Sequence, residues 1–211
     1  MKMHIYKLFF LSFFLVILTS CKQYKNIEII FEDGFIYSAQ KDLITNLKST
    51  NSKEGIKEIL LNQDWIEDFK VVFRINGNVK INIITKIPLF IWNDKYYIDR
   101  KLNTFNFDKT DNYLIKVFCP SNQIEDASKL IKYINNTETL SKFSFNKLDF
   151  KYSSGWTLFF EDSLTIKFGK DISETRLNSF KQSLNYVYEN NSIPSMIDLR
   201  YKDGVALNYG K

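Results

Sequence analysis

The chain has 211 residues, 45% of them apolar, with 19 Phe and 12 Tyr: enough for one large core or two small ones, and too many for a disordered chain. Its net charge of +5 is spread over interleaved Lys and Asp/Glu without a dense basic run, which argues against a nucleic-acid partner. The single histidine, His4, sits near the N-terminus, which excludes His-dependent catalysis and His-based metal sites from the rest of the chain.

Residues 1–21 read as a membrane anchor or a signal segment. Lys2 and Lys7 precede an apolar run, Leu8 to Leu18, broken only by Ser12. As a helix that run reaches about 16 Å against a hydrocarbon core of roughly 30 Å. Counted from Ile5 to Cys21, with Lys7 snorkelling, it reaches about 25 Å, a marginal span. Lysines ahead of the run leave the N-terminus in the cytoplasm and export the body. Leu18-Thr19-Ser20-Cys21 also has the form of a lipoprotein processing site, with acylation at Cys21. Both readings put the body outside the cytoplasm and attached to a membrane. Cys119 is then alone in that body and reads as a small buried hydrophobe.

Residues 24–92 form the first exported unit. Ile27, Ile29 and Phe31 alternate as in a strand, ending at Asp33-Gly34. Ser38 is placed to cap a helix with Leu43, Ile44 and Leu47 on one face. Asn51 with Glu54 has the form of a capping box for a second helix. Asp64-Trp65-Ile66 seats that helix on the sheet; the competing reading makes Trp65 an exposed partner contact. Phe69, Val71, Phe73 and Ile75 alternate, Asn76-Gly77 intervenes, and Val79, Ile81, Ile83 and Thr85 alternate again. This predicts a two-residue hairpin with both loop residues at positive φ.

Residues 93–211 form the second unit. Ile87-Pro88 interrupts the strand pattern at the boundary, and with no flexible linker the units are expected to abut through a continuous sheet region. A hairpin is expected over Tyr96–Phe107 and a strand over Tyr113–Phe118. A helix follows Pro120-Ser121, with Ile124, Ala127, Ile131 and Ile134 on one face. Phe143 to Tyr152 leads into Ser153-Ser154-Gly155. Two alternating runs then follow, Trp156 to Phe160 and Leu164 to Phe168, joined by Glu161-Asp162-Ser163. Ser173 is placed to cap the longest helix, with a stripe of Leu177, Phe180, Leu184 and Val187.

The last stretch reads IDLRYKDGVALNY. Ile197, Leu199 and Tyr201 alternate with polar residues, Asp203-Gly204 signals a turn at which Gly accepts positive φ, and Val205, Leu207 and Tyr209 resume the alternation. A last strand with no successor is expected at a sheet edge, which can close a core or receive an incoming strand. The sum is an α+β fold, mostly antiparallel in its second half. There is no Gly-rich phosphate loop and no CxxC pair, and the carboxylate pairs Glu67-Asp68 and Glu161-Asp162 lie in polar turns. Nothing in the pattern argues for an enzyme or a cofactor.

The order of these features resembles the bacterial cell-division family FtsQ/DivIB. The likeness runs from the N-terminal anchor through Asp64-Trp65-Ile66, the hairpin, and Ile87-Pro88-Leu89-Phe90-Ile91-Trp92 to the final IDLRYKDGVALNY. The resemblance implies a POTRA domain behind a single-pass inner-membrane anchor, then a β domain whose last strand pairs with a strand of FtsB in a complex that also holds FtsL and regulates septal peptidoglycan synthesis. The matching partner-binding positions are Arg200, Tyr201, Gly204, Val205, Ala206 and Tyr209. Some relatives carry a basic residue just before the tryptophan matching Trp156, where it meets an acidic partner residue; here Ser153-Ser154-Gly155 stands there. A different class of protein remains open beside it: a periplasmic lipoprotein whose POTRA-like unit acts in envelope or outer-membrane assembly.

Overall fold

The computed structural model describes residues 24, 26–34, 37–106, 108, 113–137, 144–161, 164–190, 193–202 and 204–210. The anchor or signal segment, Phe143, Asp162-Ser163 and Asp203 lie outside the described residues. The chain divides into two compact units, Met1–Lys86 and Ile87–Lys211. Among the described residues no helix is long and apolar enough to cross a membrane.

The first unit runs β1 (Asn26–Phe31), α1 (Ala39–Ser49), α2 (Lys53–Leu61), β2 (Ile66–Phe73) and β3 (Asn78–Thr85). This is the strand–helix–helix–strand–strand order expected from the periodicity. The sheet order is β1-β3-β2, with β3 parallel to β1 and antiparallel to β2. Period-two alternation puts Val79, Ile81, Ile83 and Thr85 on the buried face, where the helices bury Leu43, Leu47, Ile56 and Leu60. Trp65 is 5% exposed, and its ring lies 5.6 Å from that of Tyr37 and 6.4 Å from that of Phe31. Its indole N–H donates to Gln63 Oε1 at 3.0 Å. Trp65 therefore anchors the α2–β2 connection in the core, and the exposed-contact alternative falls.

Local corrections all concern turn and cap chemistry. Ser38 makes no side-chain cap bond; its backbone is already helical. The buried Gln40 acts there instead, accepting from the Tyr37 amide at 2.8 Å and donating to the Gly34 carbonyl. The second helix is capped by Ser52, whose Oγ accepts from the Gly55 amide at 2.9 Å, one residue later than the Asn51 box. The hairpin loop has three residues, Ile75 to Gly77, not two. Gly77 donates back to the Arg74 carbonyl at 3.1 Å, and only Gly77 has positive φ. Asn76 Oδ1 accepts from the Asn78 amide, which lets Asn76 serve a turn of the commoner hand. Ile75 thus leaves the strand and stands fully exposed at the tip.

The second unit carries β4 (Pro88–Trp92), β5 (Tyr96–Asp99), β6 (Thr104–Asn106), β7 (Lys116–Phe118), a 3-10 turn (Ser121–Gln123), α3 (Ile124–Asn135), β8 (Phe145–Lys151), β9 (Gly155–Phe160), β10 (Thr165–Gly169), α4 (Glu174–Glu189), β11 (Met196–Asp198) and β12 (Ala206–Asn208). These strands form one sheet in the order β12-β11-β10-β9-β8-β7-β4-β5-β6, in which β10–β11, β8–β7 and β7–β4 are parallel and the other pairs antiparallel. Among the described residues the strands fall into two separate sheets, with β4 in the second, in place of the continuous sheet expected across the boundary.

The core of this unit gathers Leu148, Trp156, Leu158, Ile166, Phe168 and Ile197 from the strands with Ala127 and Ile131 of α3 and Phe180, Leu184 and Val187 of α4. Both helical stripes therefore face the core, as their spacing implied. Cys119 is buried, and burial pushes its thiol up to about 11. The strand expected from Tyr113 begins only at Lys116. Ser173 makes no side-chain cap bond; its amide donates to Asp171 Oδ1 at 2.8 Å, which with a second bond from the Ser173 side chain holds the Asp171 carboxyl below the usual range.

Candidate protein-docking site

β12 is the terminal strand of the nine-stranded sheet, paired with β11 on one side and with no described strand on the other. Its register sets Met196 opposite Asn208, Ile197 opposite Leu207 and Asp198 opposite Ala206. Which of its backbone groups face outward follows from the bonds of β11. The Ser195 carbonyl accepts from the Thr165 amide at 3.0 Å, and the Leu199 amide donates to the Lys167 carbonyl at 2.8 Å. Residues 195, 197 and 199 therefore turn their main chain toward β10, and Met196 and Asp198 turn theirs toward β12. Ala206 and Asn208 complete those rungs. Leu207 lies between them and presents its N–H and C=O groups away from the sheet, with Val205 and Tyr209 flanking the strand. The Asn208 carbonyl agrees, accepting from Ser195 Oγ on the β11 side at 3.0 Å.

Beside this rim, β11 ends sooner than its alternating sequence implied. Its pairing with β12 stops at Asp198, and the chain leaves the ladder at Leu199. Asp198 is 4% exposed and grips Arg200 in a fork, with Nε donating to Oδ1 at 2.8 Å and Nη2 to Oδ2 at 2.6 Å. The Arg200 amide also donates to Oδ1, at 3.1 Å. The guanidinium bonds hold the Asp198 carboxyl below the usual carboxylate range. The Arg200 stem lies over Gly169, where a Cβ would sit 3.3 Å from Arg200 Cγ. Gly169 and Gly155 both have positive φ, and a Cβ on Gly155 would come within 2.1 Å of the Gly169 carbonyl carbon. This contact needs two glycines.

The six residues singled out from the sequence lie along this corner. Tyr201 is 58% exposed and Tyr209 49%; Arg200, Gly204 and Ala206 are exposed, and Val205 is half-buried against the core. Arg200 is committed within the molecule to Asp198. Gly204 is not among the residues with positive φ, so its expected left-handed turn is absent, and a Cβ there would meet nothing within 4 Å.

Sequence reasoning missed the residues that α4 brings to the corner. Arg176 Nη1 donates to the Leu199 carbonyl and, at 2.9 Å, to the Tyr201 carbonyl. Gln182, Ser183 and Tyr186 line a cavity of about 310 Å³ with Val205 and Leu207. A second cavity, of about 320 Å³, is lined by Ser153, Ser154, Phe168, Gly169, Lys170, Asp171, Arg176 and Arg200. No basic residue precedes Trp156, yet three cations from elsewhere surround that spot. Among the described residues no group of three or more His, Cys, Asp or Glu could hold a metal ion.

The family model for the C-terminal region of the cell-division protein FtsQ/DivIB matches residues 90–200, more than half of the chain. The chain belongs to the FtsQ/DivIB family. It is 24% identical over 192 residues to the cell division protein FtsQ of Neisseria meningitidis, covering 86% of this chain and 81% of that protein. To FtsQ of Escherichia coli it is 19% identical over 152 residues, covering 69% of this chain and 55% of that relative. FtsQ/DivIB membership carries a role in cell division. The matched region runs from within β4 through β11 and stops at Arg200, short of β12.

Proposed function

We propose that the protein is a non-enzymatic scaffold of the bacterial division machinery that recruits FtsB- and FtsL-type partners through β12. A strand of the FtsB-type protein adds along β12 at the outward rung of Leu207, between Val205 and Tyr209, and the assembly helps regulate septal peptidoglycan synthesis. The observation that carries this reading is the edge position of β12 with its main chain directed outward. Main-chain pairing supplies affinity, while Tyr201 and Tyr209 offer large, stiff aromatic contact area. The cavity lined by Lys170, Arg176 and Arg200, which outnumber its one carboxylate, Asp171, suits an acidic side chain of the partner, in place of the basic residue that some relatives carry before the tryptophan.

Residues 5–21 anchor the chain in the inner membrane, with the body in the periplasm. The β-α-α-β-β order of the first unit supports reading it as a POTRA domain, a docking module without an active site.

The test is affinity for the FtsB-type protein of the same bacterium, with Tyr201→Ala beside the wild type. The expected outcome is binding by the wild type, at least tenfold weaker binding by the variant, and the same circular dichroism for both. Equal affinity removes the edge-docking reading.

A further inference from the structure

We infer that Arg176, in the first turn of α4, is the positioning residue of the docking edge. It holds the segment between β11 and β12 in the conformation an incoming strand meets. The inference rests on the reading of β12 as a docking rim, and its observation is separate: one guanidinium nitrogen on a helix bonded to two carbonyls of the segment leading to the rim.

The carbonyls belong to Leu199 and Tyr201 and flank Arg200. They lie just past the last rung of the β11–β12 ladder, Asp198 opposite Ala206, and beyond the end of β11. A carbonyl that leaves a sheet needs another donor, and a guanidinium is suited to supply one: permanently charged, rigid and weakly hydrated. Arg176 is carried by a helix whose Phe180, Leu184 and Val187 are fixed in the core. The Tyr201 backbone is thus tied to the core through Arg176, beside the hold of buried Asp198 on Arg200. Tyr201 itself, being mostly exposed, has little packing to orient it. Ordering this aromatic before the partner arrives removes an entropic cost from binding.

Because Arg176 also lines the cationic cavity, the test separates a positioning role from direct charge contact. The measurements are backbone amide exchange across residues 199–208 in the free protein and affinity for the extracytoplasmic segment of the FtsB-type protein. Both are made on wild type, Arg176→Ala, Arg176→Lys, Tyr201→Ala and the Arg176→Ala/Tyr201→Ala double variant. Positioning predicts more than tenfold faster exchange at the Arg200 and Ala206 amides, the one bonded to Asp198 Oδ1 and the other an inward rung, in Arg176→Ala, with β9 and β10 unchanged. Binding weakens about tenfold, Arg176→Lys does not restore it, and the double variant binds no worse than Tyr201→Ala alone, because Arg176 acts through Tyr201. Unchanged exchange overturns the inference. So does rescue by lysine, or losses that add, since both mark direct ionic contact. If the wild type fails to bind, the docking reading falls, and the exchange result alone still decides whether Arg176 holds the segment. If Arg176→Ala does not fold, Arg176→Lys carries the same exchange comparison.

Discussion

Asp198 and Arg200 stand two residues apart at the end of β11, and their side chains close a two-bond fork of 2.8 and 2.6 Å around the point where the chain turns out of the sheet. A strand would place residues i and i+2 on the same face with parallel side chains; here the backbone has bent so that the second folds back on the first. The fork marks the end of the strand and the start of the docking corner.

A pH dependence follows. The folded-state pKa of Asp198 is depressed, so its stabilising contribution is present above the unfolded value of about 4 and is lost as pH falls through the lower folded value. Asp198→Asn should cost about 1.5–3 kcal/mol at pH 7, the range for hydrogen bonds to charged groups. The cost should shrink below about pH 4 as the wild-type carboxyl takes up its proton. Urea titrations of both proteins at pH 7 and pH 3 check this; a cost independent of pH contradicts it.

The backbone parity of β12 can be tested one amide at a time. N-methylation at Leu207, introduced by ligating a synthetic C-terminal segment, removes an outward donor. It should abolish binding of the FtsB-type partner while leaving the melting temperature within about 2 °C. The same change at Ala206 removes an inward rung and should lower stability by about 1 kcal/mol. The reverse pattern would mean that the outward rungs are misassigned.

Gly155→Ala should be among the most disruptive single-methyl changes in the second unit. Its Cβ would fall 2.1 Å from the Gly169 carbonyl carbon, at a φ of +77° that L residues rarely adopt. Backbone cannot yield as a side chain can, so a loss of at least about 3 kcal/mol is expected by thermal or denaturant unfolding. Gly204→Ala is the control: open space and no positive φ predict a change within about 0.5 kcal/mol.

Periodicity carried most of the fold. The alternation of Val79, Ile81 and Ile83 and the stripes of α3 and α4 describe burial that depends only on facing a core, and those residues are buried, Leu177 only partly. Caps and turns were read less well because several local solutions share one sequence signal. Asn51 and Ser52 are both cap formers, and Asn76-Gly77 fits a two-residue loop as readily as the end of a three-residue one. The edge strand was legible in the order of the last residues, whereas the exposure of Tyr201 and Tyr209 was not, since alternation groups them with the apolar face of Ile197, Leu199 and Leu207. The cationic cavity was not: Ser153, Lys170, Arg176 and Arg200 are joined only by the sheet and α4, with no spacing that announces it. Nor does alternation show that β11 stops at Asp198, since Leu199 and Tyr201 continue the pattern after the ladder with β12 has ended.

The most direct measurement is amide hydrogen exchange at Leu207, followed by NMR in the free protein and in the presence of saturating FtsB-type partner. An outward, unpaired amide that becomes the rung of an added strand should exchange rapidly when free and at least a hundredfold more slowly in the complex. Slow exchange in the free protein, or no change at saturation, would contradict recruitment through this edge.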